Sequence, residues 1–151
     1  MRTGSAAHLV DTNVLVYAYD NADAAKQQRA VEVLSRLVTR RNGAISAQIM
    51  GEFFIASTRR IAVPLSQAEA ERSLVNYARS WLICDLTAAT VLEAVAIAQR
   101  RSISYWDALI WATAKLNGVA NILSEDFSDG LLLEGVRILN PFNAAFDPAA
   151  L

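Results

Sequence analysis

The sequence predicts an α/β fold, with a central parallel sheet of four to five short strands between two layers of helices. Three observations lead there. Short apolar runs alternate with longer amphipathic stretches in the order β-α-β-α-α-β-α-α-β-β, the pattern of a parallel sheet covered on both faces. Capping and turn residues separate these segments at nearly every boundary. The chain has 151 residues, 54% of them hydrophobic, which is enough for one domain with a substantial core. No repeat, low-complexity tract or linker divides it, so residues 1–151 read as a single domain. Residues 1–7 and 142–151 are expected to be flexible or irregular ends.

The first strand is expected over His8 to Asp11. A helix from about Ala24 to Arg41 follows, with Ala30, Val33, Leu34, Leu37 and Val38 at helical spacing and Asn42-Gly43 as its stop. Gly43 to Ser46 reads as a short strand. SAQIMGEFFIASTRR reads as a helix whose Ile49, Phe53 and Ala56 share a face, and Pro64 ends the connection after it. Ser66 and Glu69 form a capping box that opens a helix running to about Arg79. Trp81 to Leu86 is strand-like. Thr87 caps the next helix, which ends near Arg100-Arg101, and Ser104 caps SYWDALIWATAKLNG, closed by Gly118. Val119 to Leu123 is a strand, SEDFSDG a loop, and Val136 to Leu139 a last strand before Pro141. FNAAFDPAAL is expected to lie as an irregular cap over the core.

Bulk properties narrow the function. The net charge of −1 and sequence pI near 5.8 do not suit a protein that wraps a long duplex by charge alone. No apolar run reaches transmembrane length, and MRTGSAAHLV lacks the apolar core of a signal peptide. The single cysteine, Cys84, rules out an intramolecular disulfide and fits a reducing compartment, hence a cytoplasmic protein. Three arginine pairs, Arg40-Arg41, Arg59-Arg60 and Arg100-Arg101, fall near helix ends. There they complement the helix dipole or, for some of them, line a groove for phosphates.

Four acids occupy unusual positions. Asp11 ends the first strand, Glu52 lies in the apolar helix QIMGEFFIAS, Asp107 in the first turn of YWDALIWA, and Asp126 just past the strand ending at Leu123. In a doubly wound sheet, strand carboxyl ends and helix starts gather at one edge. Each acid also has a plain structural role open to it: Asp11 as a cap for a turn starting at Thr12, Asp107 as part of a capping box with Ser104, Asp126 as a turn residue, and Glu52 reaching out to solvent. Two carboxylates about 4 Å apart repel by roughly 1 kcal/mol in water and about 4 kcal/mol at an effective dielectric near 20. No Lys or Arg lies within these four motifs, so either the acids are apart, or some are protonated, or a cation sits among them. Oxygen donors without His or Cys would select Mg²⁺ or Mn²⁺ over Zn²⁺.

VDTNVLVYAY, QIMGEFF, SYWDALIWATA and ILSEDFSDG together resemble the PIN-domain nucleases, most closely the VapC toxins of type II toxin–antitoxin pairs. The likeness spans about Leu9 to Asn140. It implies a PIN-like three-layer α/β/α fold with an acidic pocket at the carboxyl edge of the sheet, and metal-assisted hydrolysis of RNA. Asp11, Glu52 and Asp107 match the family's first three acids. Asp126 matches the more variable fourth, with Asp129 as the alternative. Asn13 matches a residue that orients the first acid, and Ser124 the hydroxyl that supports the fourth. The resemblance further implies Asp11 and Asp107 as main ligands of Mg²⁺, with Mn²⁺ able to substitute, and Glu52 and Asp126 in support. Arg59, Arg60, Arg100 and Arg101 are candidate contacts to the RNA backbone. The implied partners are an RNA substrate, a small cognate antitoxin and a second copy of the chain. The interface candidates are Leu74, Tyr77 and Ala78 and the face from Ala30 to Val38.

Other classes fit less well. A phosphoacceptor domain needs adjacent early acids and a lysine after a late strand, whereas the only lysines are Lys26 and Lys115, both in helical stretches. A dinucleotide-binding domain needs a glycine-rich loop after the first strand, and none is present. A catalytically silent PIN-like module that binds RNA or protein is the remaining alternative.

Overall fold

The computed structural model describes residues 8–151; the expected irregular end at 1–7 lies outside them. Its elements are β1 (His8–Val10), α1 (Thr12–Tyr17), α2 (Ala24–Arg40), β2 (Gly43–Ser46), α3 (Ala47–Arg59), α4 (Gln67–Ser80), β3 (Leu82–Cys84), α5 (Ala88–Arg101), α6 (Tyr105–Leu116), β4 (Asn121–Leu123), β5 (Leu132–Leu133) and β6 (Val136–Leu139). The sheet order is β3-β2-β1-β4-β6-β5. All neighbours run parallel except β5, which is antiparallel to β6. The α/β class with a parallel sheet is therefore as the sequence predicts.

The chain builds outward from β1 in one direction through β2 to β3, then returns to the other side of β1 with β4. Right-handed crossovers then put α1–α4 on one face and α5–α6 on the other. The packing agrees: α2, α3 and α4 contact β2, while α6 contacts β4 and β6. The reversal of direction falls between β1 and β4, which makes the crevice beyond their carboxyl ends the natural place for a ligand.

Hydrophobic burial holds the layers together. Leu9, Val10, Ile45, Ile122, Leu123 and Ile138 of the strands are fully buried, as befits strands covered on both sides. Ala108 through Ala114 are buried without a break, so most of α6 lies inside the molecule. Its Trp111 indole donates to the Leu133 carbonyl at 3.0 Å, which satisfies the one polar atom of a buried ring. The expected caps form: Ser66 with Glu69, Thr87 with Thr90, and Ser104 onto the Asp107 backbone N–H. In the tail, Phe142 and Phe146 pack on the core and a short 3₁₀ turn spans Pro148–Ala150.

Several local expectations are corrected. β1 stops at Val10, because Asp11 caps α1, the turn starting at Thr12 that the sequence leaves open as a structural role for Asp11. α2 ends at Arg40, and the turn is made by Arg41 in the left-handed region (φ 55°) rather than by Asn42-Gly43. β3 is shorter than Trp81 to Leu86, because Trp81 closes α4 and Leu86 is 45% exposed past the last paired residue. β5 was not expected. It forms because Glu134 (φ 45°) and Gly135 (φ 87°) make a two-residue hairpin turn with both φ angles positive, the geometry that matches strand twist.

Gly43 is instead needed inside β2. A Cβ at this position would lie 2.7 Å from the Trp81 indole, which is buried and stacked on Tyr77 at 4.6 Å. Gly43→Ala should therefore lower stability by about 1–3 kcal/mol through overpacking, read as a fall in denaturation midpoint. An unchanged midpoint would contradict this packing.

Candidate metal centre at the β1–β4 crevice

Parallel pairing sets His8 opposite Asn121 and Val10 opposite Leu123. The next residues, Asp11 and Ser124, thus leave the sheet side by side. The Asp11 N–H continues the ladder to the Leu123 carbonyl at 3.0 Å. Its side chain, only 3% exposed, accepts from Ser124 Oγ at 2.6 Å through one oxygen and from the Thr12 backbone N–H at 2.7 Å through the other. Burial nonetheless raises the Asp11 carboxyl to about 6, and the charges of Asp126 and Glu52 push the same way against the two hydrogen bonds.

The triplet Asp11-Thr12-Asn13 reaches three separate parts of the chain. Asp11 meets Ser124. Thr12 Oγ1 donates to Glu52 Oε2 at 2.5 Å. Asn13 Nδ2 donates to Asp126 Oδ2 at 2.9 Å. The start of α1 fans these side chains apart, since successive helical residues point in different directions. Gln48, one turn before Glu52 on α3, donates to its other oxygen at 2.9 Å. Both Glu52 oxygens are therefore pinned.

Asp107 enters from the opposite helical layer, at the start of α6. Its carboxyl is raised chiefly by desolvation, with added repulsion from Asp126 and Glu52. Asp126 and Glu52 thus act on both Asp11 and Asp107, which brings the four acids of the sequence reading into one field. Trp106 beside Asp107 is 63% exposed, so the shielding of Asp107 comes from elsewhere than this neighbouring ring.

The supporting residues match expectation in part. Asn13 bonds to Asp126 and not to Asp11, because α1 begins at Thr12 and turns Asn13 toward the loop after β4. Ser124 holds Asp11 and also accepts from the Asp126 N–H at 3.0 Å. Asn13 therefore serves the fourth acid instead of the first, while Ser124 serves both. Asp129 accepts from the Asn140 N–H and from Asn143 Nδ2, both at 2.8 Å, and is engaged in fastening the segment after β6.

Sequence reasoning missed Thr12, Gln48 and a clamp on Glu125. Glu125 accepts from Tyr17 Oη at 2.6 Å and from Lys26 Nζ at 2.8 Å. The Lys26 ammonium also lies 4.6 Å from the Tyr17 ring centre. This residue sits between Ser124 and Asp126, so the clamp fastens the turn that carries both. Gln48 precedes Glu52 by one helical turn, a spacing that could have flagged it. Nothing local marks the contact of Tyr17 and Lys26 with Glu125.

The arginines divide. Arg60 lines a groove of about 440 Å³ together with Thr12, Gly51, Glu52, Ile55 and Ala56. Arg100 pairs with Glu134 at 3.2 Å. Arg59 and Arg101 are exposed.

The donors fit a hard divalent cation. Among the described residues no Lys or Arg forms an ion pair with Asp11, Glu52, Asp107 or Asp126. Asn13 Oδ1 and Gln48 Oε1 are buried acceptors with no hydrogen-bond donor. No three His, Cys, Asp or Glu side chains among the described residues form a ready cage. A hard divalent cation there would take one or two carboxylates directly and keep several waters.

The PIN domain family model matches residues 8–128, and the chain belongs to the PIN-domain family. No curated protein sequence matches it. Among solved structures it resembles a toxin–antitoxin complex from Klebsiella pneumoniae (TM-score 0.61, 18% identity, covering 89% of this chain and 98% of that one). It also resembles Mycobacterium tuberculosis VapC20, described as a sarcin-ricin loop cleaving toxin (TM-score 0.61, 22% identity, 87% and 99% covered). A third is a DNA-bound VapBC from Salmonella typhimurium (TM-score 0.59, 14% identity, 87% and 96% covered). At these identities the likeness is one of fold.

Because the folded Asp11 carboxyl titrates near 6 against an ordinary value of 3.8, the folded state takes up a proton, and gains stability, as pH falls through 6. Above that its charge costs stability. Asp11→Asn removes this dependence. In EDTA, the stability of the Asn variant relative to the parent should fall by about 1–1.5 kcal/mol from pH 8 to pH 5, measured by urea unfolding. A difference independent of pH would mean that Asp11 titrates as an ordinary carboxylate.

Proposed function

We propose that this chain is a metal-dependent endoribonuclease of the VapC type, the toxin of a toxin–antitoxin pair, with residues 1–151 forming one PIN-like domain that acts in the cytoplasm. The observation that carries the reading is the convergence of Asp11, Glu52, Asp107 and Asp126 with no cationic side chain among them, around an Asp11 held buried by Ser124. Such a cluster is costly to the fold and useful to a bound cation. The reaction is hydrolysis of an RNA phosphodiester: water adds to phosphorus and the leaving oxygen departs with a proton.

Asp11 and Asp107 would hold Mg²⁺, with Mn²⁺ as substitute, while Glu52 and Asp126 complete its surroundings through water. When bound, the ion supplies positive charge against the charge developing on the reacting phosphate and makes a nearby water more acidic. Ser124 fixes Asp11, Thr12 and Gln48 fix Glu52, and Asn13 fixes Asp126. The acids are thus set before substrate arrives, and little reorganisation is left for the reaction itself. The backbone N–H groups at the start of α6 favour an approaching phosphate. Arg59, Arg60, Arg100 and Arg101 are the candidate phosphate contacts, though the Glu134 pairing weakens the case for Arg100.

Partner surfaces are consistent with a homodimer and an antitoxin. One apolar groove is lined by Ala18, Tyr19, Val31, Leu34, Val38 and Tyr77, and another by Met50, Phe54, Leu74, Val75 and Ala78. They cover most of the faces expected to be interfaces from sequence. The similar toxin–antitoxin complexes support an antitoxin partner, and a small gene directly upstream would support it further. No helix among the described residues is long and apolar enough to cross a membrane.

The test is RNA cleavage by purified protein with Mg²⁺ or Mn²⁺. Asp11→Asn and Asp107→Asn should each lower the rate by about 10²–10³ with an unchanged circular dichroism spectrum, and EDTA should abolish it. Activity unaffected by either substitution or by EDTA would sink the reading. RNA binding without turnover under either metal would instead mark a silent binding module.

A further inference from the structure

A groove leads away from Glu52 along α3. It is lined by Thr12, Gly51, Glu52, Ile55, Ala56 and Arg60. Thr12 and Glu52 belong to the carboxylate cluster, so the groove opens directly from it. Its floor is small or apolar: Gly51 is exposed, and a Cβ built there would meet nothing within 4 Å. Ile55 is 36% exposed. At the far end stands Arg60, the residue that closes α3.

Among the described residues the Arg60 guanidinium has no hydrogen-bond or ion-pair partner. Arg100 is committed to Glu134, and neither Arg59 nor Arg101 lines this groove. Glu52 and Arg60 are eight residues apart on one helix, or about 12 Å along its axis. An acidic end, an apolar middle and a free cationic end follow one another on a single face. A nucleic-acid strand has that complementary order: a reacting phosphate at the acids with their cation, then a base or sugar over the apolar stretch, then a further phosphate.

We propose that this α3 groove is the track for single-stranded RNA flanking the scissile phosphate, with Arg60 gripping a backbone phosphate beyond the adjacent nucleotide. The proposal rests on the ribonuclease reading and deepens it. Phosphate contacts set register without reading sequence, so Arg60 acts on affinity for any strand. The open, apolar floor at Gly51 and Ile55 admits a base of any identity. Arg60 binds substrate away from the reacting atoms and leaves the acids untouched.

The test uses a fluorescein-labelled 12-nucleotide RNA of random sequence, with binding followed by anisotropy in EDTA and cleavage followed with Mn²⁺. Three variants are compared with the parent: Arg60→Ala, Gly51→Phe and Arg137→Ala, the last at an exposed arginine of β6 away from the carboxyl edge of the sheet. Gly51→Phe fills the groove from a position with room for a side chain, and removing a mid-helix glycine favours the helix, so folding is preserved. Arg60→Ala should raise Kd about five- to tenfold and reduce the slope of log Kd against log salt by about 1. KM should rise by a similar factor while kcat stays within twofold. Gly51→Phe should also raise Kd and KM, and Arg137→Ala should do neither. With a dinucleotide substrate, too short to reach Arg60, the effect of Arg60→Ala should vanish.

Binding and cleavage by the parent with neither Arg60→Ala nor Gly51→Phe changing Kd or KM would overturn the track and leave the groove to a peptide partner. Equal losses with Arg137→Ala would overturn it in favour of general electrostatic attraction. If the parent itself neither binds nor cleaves RNA, the ribonuclease reading fails first, so the two failures are distinguishable.

Discussion

The hydrogen bond from Ser124 to the buried Asp11 is the contact on which the rest of the site depends. Parallel pairing of β1 with β4 brings the two residues out of the sheet together, and that register leaves Asp11 beneath the surface with its charge only partly compensated. Two hydrogen bonds offset some of the desolvation, yet the carboxyl still titrates near 6. A fold selected for stability alone would place an amide or an apolar side chain there. The surrounding acids deepen the deficit, and a divalent cation would relieve it.

From that contact the architecture reads outward. The β1–β4 pair is where the sheet reverses its direction of growth, so both helical layers can send residues to the same crevice. α3 brings Glu52 from one layer and α6 brings Asp107 from the other. The three residues after Val10 then bind these parts together, through Ser124, Glu52 and Asp126 in turn. Beneath them Val14 and Leu15 are buried and root α1 in the core. The clamp of Tyr17 and Lys26 on Glu125 fixes the turn between Ser124 and Asp126 from outside. Rigid supports of this kind let charged groups keep their spacing without a cation.

Much of this was legible in the sequence because it depends on local pattern. Ser66, Thr87 and Ser104 cap helices by rules that involve only their own turn. Asp11, Glu52, Asp107 and Asp126 stand out because carboxylates at strand ends and within apolar helices are expensive. What was not legible depends on exact direction. Whether Asn13 faces Asp11 or Asp126 turns on α1 starting at Thr12, one residue from the expected end of β1. The pinning of Glu52 by Thr12 joins residues forty positions apart, and no sequence spacing announces it. Gly43 looked like a helix stop and is instead a space for Trp81, a role set by a residue far downstream at the end of α4.

The central claim is that the acids are assembled to hold a cation, and direct Mn²⁺ binding tests it without reference to any substrate. Electron paramagnetic resonance of free Mn²⁺ would be followed during titration with the parent protein and with Asp11→Asn, Asp107→Asn and Asp129→Asn. The account predicts saturable binding by the parent, weakened at least about tenfold by Asp11→Asn and by Asp107→Asn, and unchanged by Asp129→Asn. Absence of saturable binding by the parent, or equal affinity in the parent and Asp11→Asn, would contradict it.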